Sequence, residues 1–259
     1  MTDNPFSIEG KATIVTGGGV GIGKSISHEF ARFGAMVAIG SRNAENCEKT
    51  AEEIRKEGGK AIALRCDVRN PEEVQNLVDT TVKEFGRLDV LVNNHGASFV
   101  YPAEDISPNG WVTIVNINLN GVFFLSKAAM KVMKEQESGG VIINISSMAG
   151  VSGSPKMSHY GAAKAGVVNL TRTLAHEWAP YNIRINCIAP GPIVTKGYLD
   201  NLGAAEVPQE WKDPIPLKRW GKVEEIAWPC IFLASEASSF MTGETICIDG
   251  GPRLKEASG

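Results

Sequence analysis

The sequence predicts an α/β fold, a parallel sheet covered by helices on both faces. Short β-branched runs alternate with longer amphipathic stretches along the 259 residues, the pattern of parallel strands joined by helical crossovers. A glycine-rich stretch, TGGGVGIG at 16–23, falls between the first strand and the first helix. No composition break, linker or internal repeat divides the chain, so one domain accounts for it.

KATIVTG at 11–17 reads as a buried strand, followed by a helical pattern from about 21 to 33. MVAIG at 36–40 is the second strand, and NAENCEKTAEEIRKEGG ends a helix on its glycine pair. KAIALRCDV at 60–68 is the third strand. NPEEVQNLVDTTVKEFG then offers an Asn cap, an early proline and an amphipathic body. LDVLVNN at 88–94 is the fourth strand, and a single helix is expected over about 108–137. GVIINISS at 140–147, a helix over about 158–180, IRINCIAPG at 183–191, a helix near 223–235 and TICIDGG at 245–251 complete the series. The one long irregular segment, 196–221, has the length of a lid or binding loop, with Tyr198, Leu199, Leu202 and Trp211 as an apolar pocket wall. Residues 1–10 form an N-terminal extension.

The net charge of −3 and the lack of a dense basic run argue against nucleic acid as a partner. Five scattered cysteines without a CxxC spacing fit free thiols in a reducing compartment, and no cysteine–histidine cluster suggests zinc or another metal. The polar start, MTDNPFSIEG, resembles neither a signal peptide nor a basic amphipathic leader. No apolar run approaches the roughly 18 residues of a membrane span. The expected location is the cytoplasm.

A glycine-rich turn between strand and helix lets backbone pass close to a pyrophosphate at the helix N-terminus. The spacing is T-G-x-x-x-G-x-G, with Gly17, Gly21 and Gly23 at the fixed places and Ile22 between the last two. An acid that would accept from an adenosine 2′-hydroxyl is expected about 20 residues on. Instead the second strand ends in Gly40, Ser41, Arg42 and Asn43. A serine and a guanidinium suit a 2′-phosphate, so NADP(H) is favoured over NAD(H); the bland alternative is an arginine pointing to solvent.

SHYGAAKAG at 158–166 sets Tyr160 and Lys164 one helical turn apart among small residues. Local packing would explain the pair, and so would a proton donor tuned by an adjacent ammonium, since a cation favours the phenolate of a group whose ordinary pKa is about 10. These two residues alone leave both readings open.

With TGGGVGIG, NNHG at 93–96 and YGAAK at 160–164 in this order, the chain resembles the short-chain dehydrogenase/reductase family, from about residue 11 to 251. INISS at 143–147, NCIAPGPIVT at 186–195 and the closing TGETICIDGG extend the resemblance. It implies one Rossmann domain with a doubly wound, seven-stranded parallel sheet, and a homotetramer. It also implies a catalytic tetrad: Tyr160 as acid/base, Lys164 as its partner, Ser147 (thirteen residues before the tyrosine) holding the substrate oxygen, and Asn118 anchoring a water that links Lys164 to solvent. Implied cofactor contacts are Asp67 and Val68 at the adenine, the fourth-strand turn through Asn93, Asn94 and Gly96, then Pro190, Gly191, Ile193 and Thr195 toward the nicotinamide. His95 stands where the family pattern NNAG has a small residue, and either reaches the substrate or packs as a neutral spacer. His159 is expected to be structural or at a subunit contact. The loops at 95–103 and 148–157, with Ser98, Phe99, Val100, Tyr101, Met148 and Met157, together with Tyr198 of the lid, suggest an apolar small-molecule pocket. Lys156 and Lys196 are the only candidate anion clamps there.

The reaction implied is interconversion of a secondary alcohol and a ketone. Reduction of a carbon–carbon double bond in an enoyl- or dienoyl-CoA is the alternative, suggested by SRN at 41–43 and PGPIVTKG at 190–197. A non-catalytic NADP(H)-binding sensor is a third reading.

Overall fold

The computed structural model describes residues 4–251. Seven strands form one sheet in the order β3-β2-β1-β4-β5-β6-β7, every neighbouring pair parallel. They are β1 Ala12–Thr16, β2 Met36–Ser41, β3 Lys60–Arg65, β4 Val90–Asn93, β5 Gly140–Ile145, β6 Ile183–Pro190 and β7 Thr245–Ile248. The strand order reverses between β1 and β4, and a parallel sheet opens a crevice at such a point, beyond the carboxyl ends of its strands.

Helices cover both faces, which is why β1 and β4 are buried at every position and read as continuous apolar runs. On one face Ile26 and Phe30 of α1 (Gly21–Arg32), Ala51 and Ile54 of α2 (Ala44–Lys56) and a C-terminal helix at Glu224–Ala234 pack against Val15, Ile39 and Ile143. On the other, Leu77 of α3 (Pro71–Phe85) packs with Ile14, Leu91 and Ile142. The expected punctuation is in place. Asn43 and Asn70 cap α2 and α3 through their side-chain oxygens, and Gly86 closes α3 at φ 79°.

The helix expected over about 108–137 differs. It divides into α4 (Pro108–Val115), a π-helical turn (Asn116–Asn120) and α5 (Gly121–Met133). The helix stops at Met133 because the chain folds back three residues later, where the Gln136 amide bonds the backbone of Leu88 and Gly139. By length and a mean hydropathy of 1.2, Pro108–Met133 could cross a membrane, which the run count missed; half of it is buried inside this fold, as in a core helix. A short helix at Met148–Ser152 (α6) precedes the long α7 (Ser158–Trp178). The segment at 196–221 is less irregular than expected. It contains α8 (Lys196–Leu202) and α9 (Gln209–Lys212) before α10, the helix at Glu224–Ala234.

Candidate active site

Two cavities of about 300 and 590 Å³ meet at the carboxyl edge of the sheet, sharing Ile22, Asn94, Gly96 and Thr195 in their walls. Together they make one cleft. Its first half is bounded by Gly17, Gly23, Ser41, Arg42, Asp67, Val68 and His95. Its second half is bounded by Ser147, Tyr160, Lys164, Pro190, Gly191, Ile193 and Tyr198. A separate cavity of about 400 Å³ lies near the amino ends of the strands, but its cations are committed: Arg87 forks onto Asp89, Arg184 donates to three carbonyls, and Lys11 donates to Ala234.

The turn after β1 takes left-handed φ values at Gly17 (64°) and Gly21 (54°), which glycine adopts without strain. Asn94 braces it, its side-chain amide donating to the Thr16 and Gly17 carbonyls at 3.1 and 3.4 Å. Asn93 does something else: it is fully buried and ties β4 to β5 through Asn144, so of the two asparagines only Asn94 lines the cleft. Thr195 abuts Gly21 and caps α8, accepting from Tyr198 N. The 192–194 strip is pinned to Gly221 by two backbone hydrogen bonds of 2.9 Å.

Ser147 starts α6 and accepts from Ala149 N at 3.2 Å, which leaves its hydroxyl proton for the Tyr160 oxygen. Ser146 faces away from this task, since its hydroxyl donates to the Lys164 carbonyl at 2.8 Å. Lys164 is buried, with no carboxylate beside it among the described residues. Its ammonium donates to the Ile145 carbonyl at 2.8 Å and lies 5.8 Å from the centre of the Tyr160 ring. Asn118 sits in the π-helical turn. Its Nδ2 donates to the Ala97 and Ile114 carbonyls at 2.7 and 2.9 Å, and its Oδ1 accepts from Ala97 N at 3.3 Å. The Asn118 side chain is thus committed to holding the turn at Gly96–Ala97.

A family model described as enoyl-(acyl carrier protein) reductase matches residues 18–252. The solved structure of a 7α-hydroxysteroid dehydrogenase complexed with NADH and 7-oxo glycochenodeoxycholic acid superposes with a TM-score of 0.90 at 33% identity, covering 98% of this chain and 99% of that one. The chain belongs to the short-chain dehydrogenase/reductase family. Its relatives differ in substrate. The Bacillus subtilis "Probable 2,4-dienoyl-CoA reductase" is 41% identical over 95% of this chain and 98% of its own length. The Escherichia coli 2-dehydro-3-deoxy-D-gluconate 5-dehydrogenase is 38% identical over 97% and 98%.

Members of this family bind a nicotinamide dinucleotide, and the residues of this short-chain dehydrogenase/reductase fit one. Helix α1 begins without a side-chain cap and with no acid in its first turn, so its leading amides face the cleft as open donors for a phosphate. A Cβ on Gly23 would overlap the Gly17 carbonyl and the Asn94 amide, so the backbone there is as close-packed as it can be. The Lys164 ammonium keeps two N–H donors beyond its bond to Ile145, suited to ribose hydroxyls. Gly23→Ala is accordingly expected to cost about 1–3 kcal/mol of stability and to abolish cofactor-induced protein fluorescence change; unaltered cofactor titration would contradict the packing.

Burial dominates the electrostatics of the Tyr160–Lys164 pair. Burial raises the Tyr160 phenol above its ordinary pKa of 10.0, and the Ser147 hydrogen bond offsets only part of that. Burial lowers Lys164 itself to about 8. Both groups are therefore protonated at neutral pH. His95 is buried behind the glycine turn, its Nδ1 2.8 Å from the Thr16 hydroxyl, and is held neutral to about pH 3 by burial and by Lys164. This places it on the half of the cleft away from Ser147 and Tyr160. Met148 opens α6 and Met157 precedes α7, where its carbonyl accepts from Gly161 N; neither is among the cleft-lining residues. Asp67 forks onto Arg69, which holds its carboxyl down at about 2. His159 is fully buried with its ring 4.1 Å from that of Phe99.

Tyr198 packs at a tilt against Trp220, ring centroids 4.9 Å apart, and Trp220 stacks on Trp211 at 6.3 Å, so a row of aromatic rings backs the cleft at Tyr198. The side chain of Leu202 lies outside the described residues. Trp220 and Thr16 are contributors the sequence reading missed. The aromatic spacing at 198, 211 and 220 was a signal for the first. Thr16 opens the T-G-x-x-x-G-x-G stretch, but its role is set by partners more than seventy residues away.

Proposed function

We propose that this protein is an NADP(H)-dependent oxidoreductase that interconverts a secondary alcohol and a ketone, with Tyr160 as general acid/base. The observation that carries this reading is the convergence of the Ser147 hydroxyl, the Tyr160 phenol and the Lys164 ammonium on one wall of the cleft. When bound, the nicotinamide supplies or accepts the hydride. With substrate bound, Ser147 turns its one hydroxyl proton from the Tyr160 oxygen to the substrate oxygen, which orients it, and Tyr160 delivers its own proton to that same oxygen as negative charge develops there. Lys164 stabilises the phenolate left behind, and Asn118 holds the Gly96–Ala97 turn against the ammonium. Oxidation of the alcohol runs the same proton path in reverse.

A panel of ketones and enoyl-CoA thioesters assayed with NADPH tests the reaction, with turnover expected on ketones. Turnover confined to thioesters would establish the second reading, carbon–carbon double-bond reduction, which the similarity to the dienoyl-CoA reductase favours.

The NADP(H) preference rests on Ser41 and Arg42 beside the cleft. Arg42 is exposed, and Asp67, its carboxylate neighbour, is engaged by Arg69. Arg42→Ala is expected to weaken NADPH binding by about 10- to 100-fold, the worth of a charged hydrogen bond, with little effect on NADH. Native kcat/KM values favouring NADH would overturn the preference. The reading is completed by a small-molecule substrate without nucleic-acid or membrane partners, a homotetramer and a cytoplasmic location, the last supported by five cysteines that are all free.

A further inference from the structure

His95 interrupts a glycine-bounded turn with a buried imidazole, and its hydrogen bonding fixes which nitrogen carries the proton. Thr16, fully buried at the end of β1, accepts from Asn94 N at 3.1 Å and from His95 N at 3.3 Å. Those two amides occupy both lone pairs of the hydroxyl oxygen. Its single proton can go to the Val92 carbonyl at 3.2 Å or to His95 Nδ1 at 2.8 Å. The shorter contact takes it, because no lone pair remains to accept from an Nδ1–H. Nδ1 is therefore the acceptor, and the neutral ring is protonated on Nε2.

That Nε2–H is a buried donor without a hydrogen-bond partner in good geometry. It lies against Gly121, where an added Cβ would come within 3.0 Å of it. The Ile117 carbonyl is the backbone acceptor that faces the ring. Ile117 belongs to the π-helical turn and immediately precedes Asn118. A small residue at position 95 would reach neither Thr16 nor this turn.

We propose that His95 is a positioning residue, an Nε2-protonated imidazole that couples the end of β1 to the π-helical turn presenting Asn118. Its ring sets the spacing between the glycine turn on one side and the Asn118–Gly96–Lys164 wall on the other. The functional half of this inference rests on the alcohol/ketone reading of the site; the tautomer does not.

Two measurements test it. Two-bond proton–nitrogen correlation spectra of the native protein should show the His95 signal as an Nε2–H tautomer that does not titrate above about pH 4; an Nδ1–H tautomer or an ionised ring overturns the proposal. In kinetics, His95→Phe keeps the ring volume and removes both nitrogens, and kcat at saturating cofactor should fall about 10-fold, the worth of a lost hydrogen bond. His95→Gln, which can accept from Thr16 and donate toward Ile117, should restore most of kcat. Native turnover in the Phe variant, or a Gln variant as slow as Phe, refutes the coupling. If the Phe variant fails to fold, the spectrum together with the Gln variant decides.

Discussion

Replacing Tyr160 by Phe is expected to lower kcat/KM for ketone reduction by about 10²- to 10⁴-fold, the range for loss of a general acid, with cofactor affinity and Tm close to native. The ring would stay, and with it the contact to the Lys164 ammonium 5.8 Å from its centre. Only the hydroxyl would go. Burial already raises that phenol above 10.0, so at neutral pH it holds the proton a developing alkoxide needs. Steady-state kinetics with a ketone and an enoyl-CoA, beside a cofactor titration, read out the result. Full ketone turnover in the variant would remove Tyr160 from the mechanism. Loss of ketone but not thioester turnover would assign the two activities to different groups. If a biological activity survived unchanged, a cofactor-binding sensor would be the better description.

Lys164→Met should be more stable than the native protein and inactive. The ammonium is buried against one carbonyl and no carboxylate, and burial lowers its pKa from 10.5 to about 8. Keeping it charged at pH 7 therefore costs roughly 3 kcal/mol, at about 1.4 kcal/mol per unit. Methionine fills similar space without that cost, so Tm should rise by several degrees. The sign of the pH dependence provides a second check. The unfolded lysine keeps its proton to about 10.5 and the folded one loses it near 8. Between those values the unfolded chain binds more protons, so native stability climbs with pH. The Met variant lacks that climb and its advantage narrows. Equal stability of the two proteins at pH 7 would show that the ammonium is better solvated than its burial implies.

Much of this was legible in the sequence because it is locally encoded. Continuous apolar strands such as Ala12–Thr16, Asn caps at 43 and 70, and the left-handed Gly86 each announce themselves within a few residues. The glycine turn and the Tyr160–Lys164 pair are equally local, and both line the cleft. What failed depended on distant partners. Asn93 and Asn94 are indistinguishable in sequence, yet one faces the sheet interior and the other the cleft, an alternation set by strand register. His95 is explained by Thr16, 79 residues away. The helices at 196–202 and 209–212 are too short for a period to register.

The π-helical turn at Asn116–Asn120 makes the residue count of this segment a structural constraint. One residue corresponds to about 100° of rotation along a helix. Deleting a single position there to regularise the winding would swing Trp111 and the rest of the preceding segment around the axis and pull the Asn118 amide off its carbonyls. The number of residues between 108 and 133 is thus tied to the position of one amide, whereas an exposed side chain such as Val112 takes no part in holding it.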